Sequence, residues 1–332
     1  MTNTESCEIF AFPYAAIVKS NRKSTFFDMN TQPPKISKNS YIWLNLDYKN
    51  ENTFNLLTQK YSLPHEVAEA LCDETTRPRY FRFGDGIVLI LRGINYNQGS
   101  DPEDMVSLRI WVDKEKVITL SHRRLKIINI MRKKLENNAA PSSSVQFFLT
   151  LAQIMVDEIN DTIIDITENT SDLEEKVIGT DNLSDFELRN EISELRKKII
   201  SIRRYTAPQK EIFLSLQNDK WENFTADDKN DIREIFNDIT KSLEDLDYCR
   251  DHLAIFHEEL QSKTTIRMTK IMYMISIVTV IFTPLAVLTG LLGVNVQGIP
   301  YADKDYAFSA VCLILLSISL ILIILMKRLK WL

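Results

Sequence analysis

The sequence predicts an α+β domain, a mixed sheet with flanking helices, followed by long helices and a two-helix transmembrane hairpin. Three observations predict it. Short β-rich runs alternate with helical segments over residues 1–138. From Val145 onward, apolar residues recur at helical spacing almost to the end of the chain. Two apolar runs without a charge then close it, Ile271 to Leu292 (22 residues) and Ala307 to Met326 (20 residues). Each is long enough to cross about 30 Å of hydrocarbon as a helix.

In the first domain, Ile9–Phe12, Tyr41–Leu44 and Ile87–Leu91 read as strands. Leu108–Val112 and Lys116–Leu120 read as a hairpin turned at Asp113-Lys114-Glu115. Asn52–Lys60 and His65–Leu71 read as helices, the second opened by Pro64, and Arg123–Glu136 as a third with one basic face. Asn137 to Ser144, built of Asn, Ala, Pro and Ser, is the clearest boundary. The chain therefore divides into a body (1–138), long helices (139–270), a first span (271–292), a loop (293–306), a second span (307–326) and a basic tail (327–332).

Leu151, Met155, Ile159, Ile163, Ile166, Leu173 and Val177 mark one amphipathic helix that ends at Gly179. A second runs from Asp185 to about Gln217, and Pro208 is expected to kink or split it. A third begins near Ala226, and no Gly or Pro interrupts the chain from there to Pro284. Continued into the first apolar run, it is about 65 residues, or roughly 100 Å. Such a helix needs neighbours, from its own chain and from sister subunits.

A second pattern runs through that helix. Thr265, Thr269, Met272, Ser276, Thr279, Thr283, Ala286, Gly290 and Gly293 alternate at spacings of four and three, which keeps them on one face. Small and hydroxyl residues let helices pack closely, and they also line water-filled paths. Two membrane helices cannot enclose a hydrated pore, but a ring of identical subunits brings one face of each copy to a common axis. That geometry favours the pore-lining role. The second run has only scattered Ser309, Ser317 and Ser319, and reads as the lipid-facing partner.

Lys263, Arg267 and Lys270 precede the first span, and Lys327, Arg328 and Lys330 follow the second. The loop between them is net acidic, so the positive-inside rule puts both ends in the cytoplasm and the loop outside. Met1 to Ser6 is polar, and no secretory signal is expected. The four cysteines are far apart and imply no disulfide framework. The net charge of −5 argues against a nucleic-acid partner. With 8 glycines and neither GxGxxG nor GxxxxGK[ST], a nucleotide cofactor is not expected. No Ser/His/Asp or Cys/His set is legible, so nothing points to an enzyme.

The segment Thr283-Pro284-Leu285-Ala286-Val287-Leu288-Thr289-Gly290-Leu291-Leu292-Gly293-Val294-Asn295 resembles the two-helix, Gly-x-Asn family of CorA-type divalent-cation transporters. The usual signature there is Gly-Met-Asn. Here Gly293-Val294-Asn295 is followed by Val296-Gln297-Gly298-Ile299-Pro300, which is similar to the ZntB zinc-transporter branch. Glu74 to Arg79, Gly99 to Val112 and the C-terminal Lys327-Arg328-Leu329-Lys330-Trp331-Leu332 are similar to the family as well. The resemblance covers essentially the whole chain.

It implies a homopentamer in the plasma (inner) membrane. The cytoplasmic domains would form a funnel, the long helices a stalk, and the first span the pore. The Gly-x-Asn asparagines would ring the outer mouth and touch the hydrated ion. An amide oxygen accepts hydrogen bonds from first-shell water, whereas a carboxylate binds a dication too tightly to release it. Gly290 and Gly293 would allow close backbone approach. Asn295 would equally serve as a helix C-cap, and the two roles are compatible. Two departures bear on the ion. Pro300 is followed by Tyr301 instead of the acidic residue of the magnesium branch, and Asp303 and Asp305 are the candidates for its electrostatic pull. Val294 in place of Met removes a thioether from the mouth. Both favour Zn2+ over magnesium, with magnesium, cobalt or nickel as the alternative. The zinc branch is associated with proton-linked uptake, yet no membrane carboxylate is in place to carry a proton. A reading of another class is a membrane-anchored sensor or enzyme, but an anchor has no need of the polar stripe. Cys249 and His252, one helical turn apart, are a separate metal candidate, although two ligands on one helix do not close a tetrahedral site.

Overall fold

The computed structural model describes residues 14–19, 22–27, 40–74, 77–179, 185–294 and 304–329. The strand expected at Ile9–Phe12 lies outside them. The chain forms two compact units, Met1–His257 and Glu258–Leu332.

The first unit is built on seven strands: β1 (Tyr14–Val18), β2 (Ser24–Phe27), β3 (Tyr41–Leu46), β4 (Arg79–Phe83), β5 (Gly86–Gly93), β6 (Val106–Val112) and β7 (Lys116–Leu120). Their order in the sheet is β2-β1-β3-β7-β6-β5-β4. β3 and β7 pair in parallel, with Leu44 opposite Ile118, and every other pair is antiparallel. The sheet is therefore mixed, as expected from the sequence. β3 and β6 are buried along their whole length. That burial on both faces explains why they read as nearly continuous apolar runs rather than as alternations.

One face carries α1 (Thr53–Asn55), a single π-helical turn (Leu56–Lys60) and α2 (His65–Cys72). Leu57, Val67 and Leu71 pack there on Ile42, Leu44 and Ile118. The opposite face packs on α3 (Lys126–Glu136) and α4 (Ser144–Gly179). Trp43 meets Phe147 of α4 at 5.0 Å between ring centroids. Its indole N–H donates to Thr119 Oγ1 at 3.0 Å, and that hydroxyl donates to Asn45 Oδ1 at 2.9 Å. At Gly86 an added Cβ would stand 2.3 Å from the Trp111 ring, so only glycine lets that indole lie across the strand.

α5 (Asp185–Asn218) and α6 (Ala226–Leu292) complete the long helices. Pro208 lies inside α5 without splitting it. A proline in a helix interior removes one backbone bond, and here the neighbouring side chain holds the helix in place. Gln209 accepts from the backbone N–H of Arg92 at 3.1 Å and donates to its carbonyl at 3.2 Å, tying α5 to β5. Lys229 donates to the carbonyls of Leu216 at 2.7 Å and Gln217 at 3.0 Å, and also to that of Asp219, closing the C-terminus of α5. Arg203 grips Asp247 through two bonds, at 2.9 and 3.1 Å, joining α5 to α6.

A ladder of polar rungs joins α4 to α6 every seventh residue of α4. Gln146 donates to Asp228 and Asp231, and Gln153 donates to Asp238 at 3.0 Å. Ser242 donates to Asn160, and Thr167 meets Cys249 at 3.5 Å. The rungs ascend together on both helices, so the pair is parallel, with the repeat of a left-handed supercoil. In the second unit α6 continues to Leu292, and α7 (Ala307–Arg328) is the second apolar helix.

Candidate functional site

The apolar part of α6 holds the candidate residues. Ile, Val, Leu, Met and Phe dominate it, and Pro284 sits inside it. In the second unit its partly covered residues are Ile277, Ile281, Leu285 and Leu288. On α7 the covered or partly covered residues include Val311, Leu315, Ile318, Leu322 and Met326. Each set falls on one face of its helix, the pattern that a helical hairpin leaves.

The polar stripe falls elsewhere. Thr265, Thr269, Met272, Ser276, Thr279, Thr283, Ala286, Gly290 and Gly293 are all exposed. At 3.6 residues per turn, their mean direction lies about 180° from the partly covered face of α6. The chain therefore leaves its least apolar helix face bare.

Four hydroxyls on that face share one orientation. Thr265 donates to Gln261 O at 2.9 Å, Thr269 to Thr265 O at 2.8 Å, Ser276 to Met272 O at 2.8 Å and Thr279 to Ile275 O at 2.9 Å. Each proton is spent on the carbonyl one turn back. What the oxygens still offer is lone pairs. A face of hydroxyls that only accept suits water bound to a cation, because such water turns its hydrogens outward.

Gly290 has open space where a Cβ would stand, so nothing among the described residues uses the close approach that this glycine permits. Gly293 follows the last helical residue and donates its N–H to Thr289 O at 2.9 Å, and a Cβ there would meet the same carbonyl at 3.2 Å. Val294 is half exposed. Asn295 and Asp303 lie outside the described residues. Asp305 is exposed in the turn before α7.

The spacing of four and three does not stop at Thr265. It continues toward the start of α6 through Ser262, Glu258, Ile255, Asp251, Tyr248 and Glu244, all exposed. A carboxylate thus recurs every seven residues below Thr265. Sequence reasoning missed this extension, although the same repeat counted backwards from Gly293 finds it. Cys249 and His252 point to different surroundings. Cys249 is buried against Thr167, while His252 stacks on Tyr248 at 4.1 Å between centroids and meets Phe256 edge-on at 5.9 Å. Among the described residues no three His, Cys, Asp or Glu side chains group as metal ligands.

A mixed-sheet body, a 67-residue helix whose last part is apolar enough to span a bilayer and a second such helix of 22 residues define a class of two-span membrane proteins. The family model for the CorA-like Mg2+ transporter protein matches residues 38–328, and the chain belongs to that family. It is 32% identical to the divalent cation transporter CmaX of Pseudomonas aeruginosa over 292 residues, covering 88% of this chain and 87% of that protein. It is 31% identical to the zinc transport protein ZntB of Yersinia pseudotuberculosis, covering 87% and 88%. Among solved structures, full-length CmaX matches with a TM-score of 0.83 and 29% identity over 96% of this chain and 97% of that one. The CorA magnesium transporter of Methanocaldococcus jannaschii shares the fold, with a TM-score of 0.82 at 17% identity over 98% and 100% of the two chains.

Proposed function

We propose that this protein carries divalent metal cations, zinc foremost, across the plasma (inner) membrane as a homopentamer, with α6 lining the path. The observation that carries this reading is the bare face of α6, where the hydroxyls of Thr265, Thr269, Ser276 and Thr279 present only lone pairs. Five copies of that face around one axis make successive acceptor rings for a hydrated dication. Glu258, Asp251 and Glu244 carry the spacing of four and three on toward the start of α6 and supply negative charge. They concentrate cations without lying in the apolar span. Gly293, Val294 and Asn295 form the outer mouth, and Asp303 and Asp305 add negative charge beside it. Residues 1–138 are the cytoplasmic body and residues 139–270 carry the stalk.

Zinc is favoured by the relatives named as zinc transport proteins and by Val294 at the place of a methionine thioether. Magnesium, cobalt and nickel are the competing cargoes. Proteoliposomes loaded with a metal-sensitive dye decide among them: faster entry of zinc than of the other three is expected, and equal or slower entry of zinc removes the assignment. Mass measurement in mild detergent is expected to give five chains. A monomer or dimer with full transport would refute the ring.

Cytoplasmic termini are supported by Lys263, Arg267 and Lys270 before the first span and by Lys327, Arg328 and Lys330 after the second. A single cysteine introduced at Asp303 should react with an impermeant reagent added to intact cells, and one at Leu332 should not. The reverse pattern inverts the topology.

A further inference from the structure

The α3–α4 junction buries a carboxyl group that plays no part in the cation path. Glu158 of α4 is 4% exposed, and neither of its side-chain oxygens has a hydrogen-bond partner among the described residues. The nearest cation is Lys126, the first residue of α3, whose Nζ lies 4.0 Å away at the end of a side chain that is more than half exposed. Tyr96, on the segment that follows β5, sits under that ammonium at 5.0 Å. On α4 itself Asp157 and Asp161 flank the group with negative charge, and Asp165 bears on Tyr96. Asp157 is engaged by Gln153 at 2.9 Å, whereas Glu158 has no such donor. A charged carboxylate without donors, taken out of water, is far less favourable than its neutral form.

We propose that Glu158 is a proton-binding site through which the first unit responds to pH. When protonated, the group is neutral and needs no counter-charge in its enclosure. When it releases its proton to water, the new charge draws Lys126 inward from 4.0 Å and calls for water between α3, α4 and the Tyr96 segment. The acid form thus closes this junction and the ionised form loosens it. Burial is the largest influence and pushes the carboxyl up to about 7; Lys126 opposes this, and Asp161 and Asp157 add to it. The sign of the linkage follows. The folded value lies above the ordinary 4.5, so the favourable contribution is complete below that value. It is lost progressively as pH rises from about 4.5 to 7, and the loss is constant above that.

The test uses the purified full-length chain in detergent, with unfolding midpoints measured from about pH 4.5 to 8.5. Wild type and Glu158→Gln should nearly coincide at the acid end. Glu158→Gln should then gain on wild type by up to about tenfold in the unfolding constant per pH unit, and run parallel above about pH 7. Lys126→Met should move the wild-type transition to higher pH, because it removes the charge that favours the carboxylate. Parallel curves at every pH, or a Glu158→Gln protein less stable than wild type at the alkaline end, overturn the proposal. If Glu158→Gln does not fold, an unshifted transition in Lys126→Met overturns it. For the response of transport, which rests on the proposed function, zinc flux is read with pH varied on the side of the first unit. A step near neutral pH in wild type that is absent from a still-conducting Glu158→Gln is expected, and the same step in both overturns the response. Absence of flux in wild type refutes the transport reading instead, and the unfolding curves still decide the proton site.

Discussion

Replacing Asn295 with alanine is expected to abolish selective zinc uptake while leaving assembly intact. In the proposed ring, five amides contact the hydrated ion together. One neutral hydrogen bond contributes about 1 kcal/mol net, so losing five at once removes about 5 kcal/mol, a loss of flux on the order of 10³-fold. Asn295→Asp separates recognition from helix capping. Five carboxylates at one level should hold a dication tightly and slow its release, so flux falls while affinity at the mouth rises. Asp tolerates cap positions much as Asn does, so a capping role predicts nearly unchanged flux. Flux into liposomes and calorimetric zinc binding, measured on wild type and both variants, decide between them. Wild-type flux in Asn295→Asp would remove Asn295 from the recognition site. The position follows directly on the described Gly293-Val294, where the backbone of α6 closes with the bond from Gly293 to Thr289.

The long helices were legible because their signals are redundant. α6 could be read from Ala226 to Leu292 from apolar spacing and from the absence of Gly and Pro before Pro284. The central strands β3, β5 and β6 were legible as apolar runs. The edge of the sheet was not. β2 has four residues, and β4 (Arg-Tyr-Phe-Arg-Phe) mixes charge with aromatics, as an outer strand can when one side lacks a partner strand. Pro208 invited a break that does not occur, because Gln209 pins α5 to the backbone of Arg92, a contact between residues 117 apart in sequence. The seven-residue ladder Gln146, Gln153, Asn160 and Thr167 was present in the sequence but hidden, because apolar periodicity draws attention to the other face of α4. Glu158 was illegible in principle. It sits among acidic neighbours in Val156-Asp157-Glu158-Ile159-Asn160-Asp161, and only packing separates the buried carboxyl from the solvated ones. In the stripe the residues were legible, but the shared direction of their hydroxyl protons was not, since it depends on carbonyls one turn back.

That shared direction gives Thr279→Val a large expected effect on transport and a small one on the fold. Valine keeps the branched shape of threonine, and Thr279 is exposed in the single chain, so no packing within the chain is disturbed. The hydroxyl already spends its proton on Ile275 O at 2.9 Å, so what the substitution removes from the exposed face is an acceptor. In a pentamer, five acceptors become five methyl groups at one level. Such a ring repels water and closes a narrow path by dewetting. Even about half a kilocalorie lost per hydroxyl sums over five to a flux decrease on the order of tenfold to a hundredfold. Ser317→Ala is the control, because it removes a hydroxyl bonded in the same way to Leu313 O at 2.8 Å, but on α7. Flux in that variant should stay within about twofold of wild type. If the stripe serves only to let helices pack, valine fills the threonine volume and both variants should conduct alike. Zinc entry into liposomes, normalised to pentamer content, makes the comparison, and equal rates for Thr279→Val and Ser317→Ala would take the path off this face of α6.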